Sequence, residues 1–319
     1  MSADGGYPAE DHETYDEFAF LDEVASEHGL MPADPPRVRR EFVDVGDARR
    51  VSALLWGEDE PKVVLIHGGG QNAHTWDAVA LALHPLPLLA IDLPGHGHSD
   101  EPTRRYGFAP ALPGTAHDVA EVVRSLAPSA NGLVGMSFGG IVTVAVTDVA
   151  PALVRKVMLV DVVPGGPSGR ARQVLDFLQG PATFATFDEM LSRTMRFNPT
   201  RSPASLRRGV RHNAIQLADG SWIWRHSRWR LEEGAHDYDD AQMDSSPPEM
   251  DMSGALSRVA VPLLLARGMR SDSVLTDEDE ERLRRVLPHA EIERFAEAGH
   301  SIQGDMPLDL AATIARFMS

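Results

Sequence analysis

Ser137 lies in the run Gly135-Met136-Ser137-Phe138-Gly139, with a glycine two places before it and another two places after. An apolar, strand-like stretch (133–136) leads into it and a helix-like stretch (140–149) leads out. A serine on such a sharp strand-to-helix turn is lifted clear of the backbone at a helix N-terminus, whose dipole favours developing negative charge. The small residues on either side let strand and helix approach closely. A serine hydroxyl is a weak nucleophile at neutral pH and needs a base that is itself held by a third group. His300, in Ala298-Gly299-His300-Ser301, is the expected base, because it follows the last strand-like run and precedes the last helical pattern. Asp272, in the loop after the run 262–266, is the expected orienting acid, and Asp161, at the end of 157–160, is the alternative.

A tetrahedral intermediate needs two backbone N–H donors aimed at its oxyanion. Phe138, directly after the serine, supplies one. The loop His67-Gly68-Gly69-Gly70-Gln71 is expected to supply the other, from Gly69 first and Gly70 next. A phosphate-cradling loop is excluded, since no Gly-Lys-Ser/Thr ending follows and no Gly-x-Gly-x-x-Gly opens a helix there. His67, His96 and His98 are metal-ligand types, yet no cysteine or neighbouring carboxylate set completes a site, and none is expected. Trp76, just beyond the glycine loop, and Trp222 and Trp224, which cluster with Trp229, are candidates for lining an apolar substrate pocket. Packing within a core is the equally simple reading of the last three.

These residues must be positioned by a recurring pattern. Short apolar runs at 63–66, 88–91, 133–136, 157–160, 262–266 and 290–295 alternate with helical patterns at 74–84, 115–126, 138–149, 277–287 and 305–317. Runs apolar at every position, alternating with helices, predict strands buried on both faces of a mostly parallel sheet. A hairpin from 38–45 and 51–56 about Gly46-Asp47 adds an antiparallel edge, for about eight strands in all. The alternation stops over 165–257, where helical stretches at 171–178 and 205–217 predict an inserted helical lid that ends in a loop with Pro247 and Pro248. The expected division is therefore an arm (1–36), a core (37–164 with 258–319) and the lid.

The arm carries much of the charge. The 319 residues have 30 Lys and Arg against 47 Asp and Glu, a net −17, and residues 1–35 hold ten acids and no Lys or Arg. The rest of the chain is thus only −7. Residues 1–12 are expected to be disordered, and 13–29 to form an amphipathic helix ending at Gly29 that docks on the body or meets a partner. No cluster of cations suits nucleic acid or an anionic membrane. Cysteine is absent, which excludes disulfides and thiolate chemistry. No apolar run of membrane-spanning length and no signal-peptide pattern appears, so a cytoplasmic protein is expected. The partner is a small acyl compound, and a homodimer is allowed.

Four segments together resemble the α/β-hydrolase superfamily: His67-Gly68-Gly69-Gly70, Asp92-Leu93-Pro94-Gly95-His96-Gly97-His98-Ser99, Gly135 to Gly140, and Gly299-His300. The resemblance covers about residues 38–319 and implies a Ser–Asp–His triad, no cofactor and a helical cap after the sixth strand. It accounts for His96 as a structural loop residue. One departure concerns the acid, which in the family usually stands three residues after a glycine; here Ser271 holds that place and Asp272 follows it. The implied activity is hydrolysis of a small apolar ester, lactone or thioester through an acyl-enzyme. Carbon–carbon bond hydrolysis, perhydrolysis or lyase chemistry with the same triad, and ligand reception with little turnover, are the alternatives.

Overall fold

The computed structural model describes residues 15–30, 34–103, 105–106, 109–165, 172–181, 183–227 and 250–319. Expectations for residues 1–12, Trp229 and the Pro247-Pro248 loop lie outside them. Eight strands form one sheet: β1 (Val38–Gly46), β2 (Arg49–Trp56), β3 (Val63–Ile66), β4 (Leu88–Ile91), β5 (Gly132–Met136), β6 (Val157–Val160), β7 (Leu263–Gly268) and β8 (Glu291–Phe295). Their spatial order is β1-β2-β4-β3-β5-β6-β7-β8. Only β2 runs against the others. Every residue of β3, β4, β5 and β6 is buried, which explains why these strands are apolar throughout. The chain places β4 on one side of β3 and β5 on the other, so the loops leaving β3 and β5 flank a topological switch point, where open α/β sheets bind ligands.

The hairpin turn sits one residue later than expected. Asp47 and Ala48 both have φ of 55°, and Gly46, at φ 91°, pairs with Arg49 across a bulge. A two-residue loop with both central residues at positive φ matches the strand twist, and the bulge takes up the extra residue.

Helices cover both faces. On one lie α3 (Leu112–Leu126), α4 (Phe138–Val149), α8 (Met252–Ser257) and α9 (Asp277–Val286), which share a buried cluster with Val64, Ile66 and Leu133. The other face carries α1 (Leu21–Glu27), α2 (Asp77–Leu83), α10 (Ile302–Asp305) and α11 (Pro307–Met318), packed with Leu65, Val134 and Met136. No helix among the described residues is long and apolar enough to cross a membrane.

Between β6 and β7 the insertion contains α5 (Arg172–Leu178), α6 (Phe187–Phe197) and α7 (Pro203–Asn213). It also contains a three-stranded sheet of Thr183–Phe184, Ala214–Gln216 and Trp222–Trp224. The helix expected over 205–217 thus starts at Pro203, capped by Ser202, and ends at Asn213. The next residues pair with Trp222–Trp224 around a turn at Gly220, whose φ is 87°. Residues 252–257, assigned to the lid from sequence, instead pack through Ala255 and Leu256 into the core cluster.

The arm docks. Val24 and Ala25 of α1 are buried with α2 and α11. The helix closes with Gly29 at φ 67°, its N–H on Ser26 O and the Leu30 N–H on Ala25 O, the paired C-terminal bonds a glycine permits.

Candidate active site

Ser137 has φ 50° and ψ −120°, the strained turn its sequence context predicts. The strain is tolerated because its flanks are bare: a Cβ at Gly135 would strike Thr143 Oγ1, and one at Gly139 would strike the carbonyls of Ile66 and His67. The helix α4 begins at the next residue.

His300 follows β8 and brings Nε2 to 3.1 Å from Ser137 Oγ. Its Nδ1 lies 2.9 Å from Asp161 Oδ2. Asp161 leaves the end of β6, is fully buried, and also accepts hydrogen bonds from Gly268 N, Ser273 Oγ and Val274 N. The expectation that Asp272 faces the histidine is corrected. Its side chain is 40% exposed and meets Arg270 at 3.4 Å. The loop after β7 does approach the site, but it turns Ser273 and Val274 toward Asp161 and Asp272 toward the cavity rim. Two sequence signals pointed this way: Asp161 directly ends a buried strand, and no glycine stands three residues before Asp272.

The loop after β3 is built from hydrogen bonds that leave one amide available. Gly68 N–H donates to Gln71 Oε1, and Gly70 N–H donates to His96 Nε2. Among the described residues no partner takes the N–H of Gly69, which lies beside Phe138. Gly70, at φ 73°, therefore shapes the loop and lines the cavity with its donor already used. His67 is fully buried; its Nε2 accepts from Leu93 N and its Nδ1 donates to Gly68 O. Burial lowers its pKa, against the pull of Asp92, so it stays neutral. His67 and His96 are thus backbone braces.

Asp92 anchors the second loop. It accepts from Ala73 N at 2.7 Å, His98 N at 3.0 Å and Arg40 Nη1 at 2.7 Å. A Cβ at Gly97 would collide with the Asp92 carboxylate, so the motif needs glycine there. Burial opposes ionisation of Asp92, but Arg40 outweighs it and holds the carboxyl well below the usual range.

Ser137 and His300 open into a cavity of about 430 Å³ between the core, the lid and α1. Trp224 lines it, beside Phe177 and Leu178. Trp76 does not: it is fully buried between α2 and the sheet. Nor does Trp222, which packs on Phe187 and under Arg211 at the outer end of its strand. Sequence reasoning missed the arm as a wall, although Val24, Glu27 and His28 all border the cavity.

One trio among the described residues, His74, Asp77 and His212, brings ligand-type atoms within 4.8 Å of one another. Both His74 nitrogens already face carboxylates, Asp77 Oδ2 at 2.9 Å and Glu17 Oε2 at 3.0 Å. His212 Nδ1 meets Tyr15 OH at 2.7 Å, and its ring stacks on His74 at 4.0 Å. A metal would have to break this network to bind.

A family profile described as the alpha/beta hydrolase family matches residues 63–313. The chain belongs to the α/β-hydrolase family. This α/β-hydrolase is 38% identical over 301 residues to the esterase Rv0045c of Mycobacterium tuberculosis, covering 92% of each chain. A crystal structure of that esterase superposes with a TM-score of 0.77 at 36% identity, over 95% of this chain and 98% of the other. An E-2-(acetamidomethylene)succinate hydrolase structure shares the fold, with a TM-score of 0.72 at 20% identity over 88% of this chain and 99% of the other.

Proposed function

We propose that this α/β-hydrolase cleaves small carboxylic esters through an acyl-enzyme, with Ser137, His300 and Asp161 as its triad. The observation that carries the reading is the continuous chain Ser137 Oγ–His300–Asp161 opening into the cavity between core, lid and α1. Likeness over nine-tenths of both chains to an esterase supports the ester as substrate class.

Ser137 Oγ attacks the ester carbonyl while His300 Nε2 takes its proton. Asp161 holds the imidazole with Nδ1–H toward the carboxylate and stabilises the imidazolium that forms. The carbonyl oxygen becomes an oxyanion facing the Gly69 and Phe138 N–H groups, at the positive end of α4. His300 then gives the proton to the departing alcohol, and the ester C–O bond breaks. Water attacks the acyl-enzyme by the same relay and frees Ser137.

Ser137→Ala is expected to abolish ester turnover while leaving the melting temperature within a few degrees of the parent. A fluorophosphonate should add one phosphonyl group to Ser137 in the parent and none in the variant, read by intact mass. Ester hydrolysis in the variant above a few per cent of the parent rate would show that another group is the nucleophile.

A further inference from the structure

Among the described residues three arginines border the cavity, and two have acidic partners. Arg208 pairs with Glu27 and lies 3.7 Å from Glu23. Arg270 lies 3.4 Å from Asp272 and 4.0 Å from Asp305. Arg201, in the connection between α6 and α7, is different. Its Nη2 donates to Ser205 Oγ at 2.6 Å, and among the described residues no carboxylate comes within 4.0 Å of its guanidinium. Its Nε is sealed from solvent and has no hydrogen-bond partner among the described residues.

The guanidinium packs against Gly304, where a Cβ would come within 2.6 Å of Arg201 Cζ. Gly304 belongs to α10, which starts two residues after His300. The unpaired cation is thereby fixed to the wall next to the catalytic histidine, facing the same cavity as Ser137. Burial lowers the Arg201 pKa, and the fields of Asp305 and Glu27 only partly oppose it. A half-buried guanidinium with a sealed Nε and one neutral partner among the described residues is costly, and a fold that needed only packing there would be served by an apolar side chain. What it fits is a planar anion, which the fork of N–H groups can bind with two parallel bonds.

We propose that Arg201 is a specificity-determining residue that binds a carboxylate on the substrate, so that the favoured esters are half-esters of short dicarboxylic acids. This rests on the ester-hydrolase reading above and sharpens its substrate class. The neutral acyl chain runs past Leu178 and Phe177, and the distal carboxylate ends at Arg201.

The test compares monomethyl succinate, glutarate and adipate with methyl butanoate, pentanoate and hexanoate, in which a methyl group replaces the distal carboxylate. The best half-ester is expected to exceed its neutral counterpart at least about tenfold in kcat/KM. Arg201→Gln should bring that ratio down to about one, chiefly through KM, and Arg201→Lys should restore part of it. Arg201→Met should keep or raise the melting temperature, since it removes a half-buried charge that no carboxylate among the described residues balances. In a Ser137→Ala background, calorimetric titration with the preferred dicarboxylate should show binding that Arg201→Gln removes.

No preference for any half-ester in the parent overturns the proposal, as does an equal loss on both ester classes in Arg201→Gln. A melting temperature lowered by many degrees in Arg201→Met would make Arg201 structural. If the parent cleaves neither ester class nor any other ester, the hydrolase reading has failed; the dicarboxylate titration then still decides whether Arg201 binds a carboxylate.

Discussion

Four hydrogen bonds converge on the Asp161 carboxylate, and only one of them comes from His300. Asp161→Asn would keep the shape but put an amide NH2 against N–H donors or against the histidine, which favours the wrong imidazole tautomer. Turnover is expected to fall by a factor of about 10³–10⁴ with little change in KM. Asp272→Asn removes only a half-exposed partner of Arg270, so kcat/KM should stay within about threefold of the parent. Steady-state kinetics on one good ester, with both variants side by side, separates the two acids. A larger loss in Asp272→Asn than in Asp161→Asn would reverse the assignment.

At the scale of elements, the arm is a strap from core to lid. Glu17 pairs with Arg40, whose other side holds Asp92, and with His74 on the first turn after the glycine loop. Tyr15 and Phe20 reach His212 of α7, and Glu27 reaches Arg208 and Ser202. Burial would raise the Glu17 pKa, but hydrogen bonds from His74 and Arg40 carry it down from 4.5 to about 2. Burial would lower that of His74, but Asp77 and Glu17 carry it up from 6.5 to about 9. Glu17, depressed in the folded state, contributes stability above pH 4.5 and loses it as pH falls toward 2. His74, raised in the folded state, contributes fully below pH 6.5 and loses its contribution as pH rises through about 9. The strap is therefore tightest between about pH 4.5 and 6.5. Glu17→Gln should lower the melting temperature by about 2–5 °C in that window. The difference from the parent should narrow on either side. A difference that is flat from pH 4 to 9.5 would rule out the His74–Glu17 pair as its source.

For the whole molecule, the uneven charge acquires a structural meaning. The arm concentrates ten acids within 35 residues, and among the described ones Glu17, Glu23 and Glu27 meet arginines of the core and lid. Its helix also completes the cavity through Val24, Glu27 and His28. Removing residues 1–30 should therefore raise KM for small esters several-fold and lower the melting temperature, while kcat changes less, because Ser137, His300 and Asp161 all lie elsewhere. An unchanged KM in the shortened chain would show that the arm does not bound the substrate.

Much of the framework was legible in the sequence because it depends on residues close together in the chain. Burial of β3 to β6 follows from unbroken apolar runs, and the turn at Ser137 from glycines two places to either side. The short strand Trp222–Trp224 was not legible, since three residues show no period until Ala214–Gln216 folds against them. Nor could sequence decide between two acids that both follow strands. Asp161 is 139 positions from His300, and its contact depends on where the loop after β7 places Ser273 and Val274. The tertiary structure likewise sent Trp76 into the core and Trp224 to the cavity, and brought the arm to the lid. The sequence by itself determined the elements and the residue types at their ends, because turn chemistry and hydrophobic periodicity act over a few positions. Which of those residues meet was decided only by tertiary packing, because each contact joins segments whose distance in the chain carries no information about their distance in space.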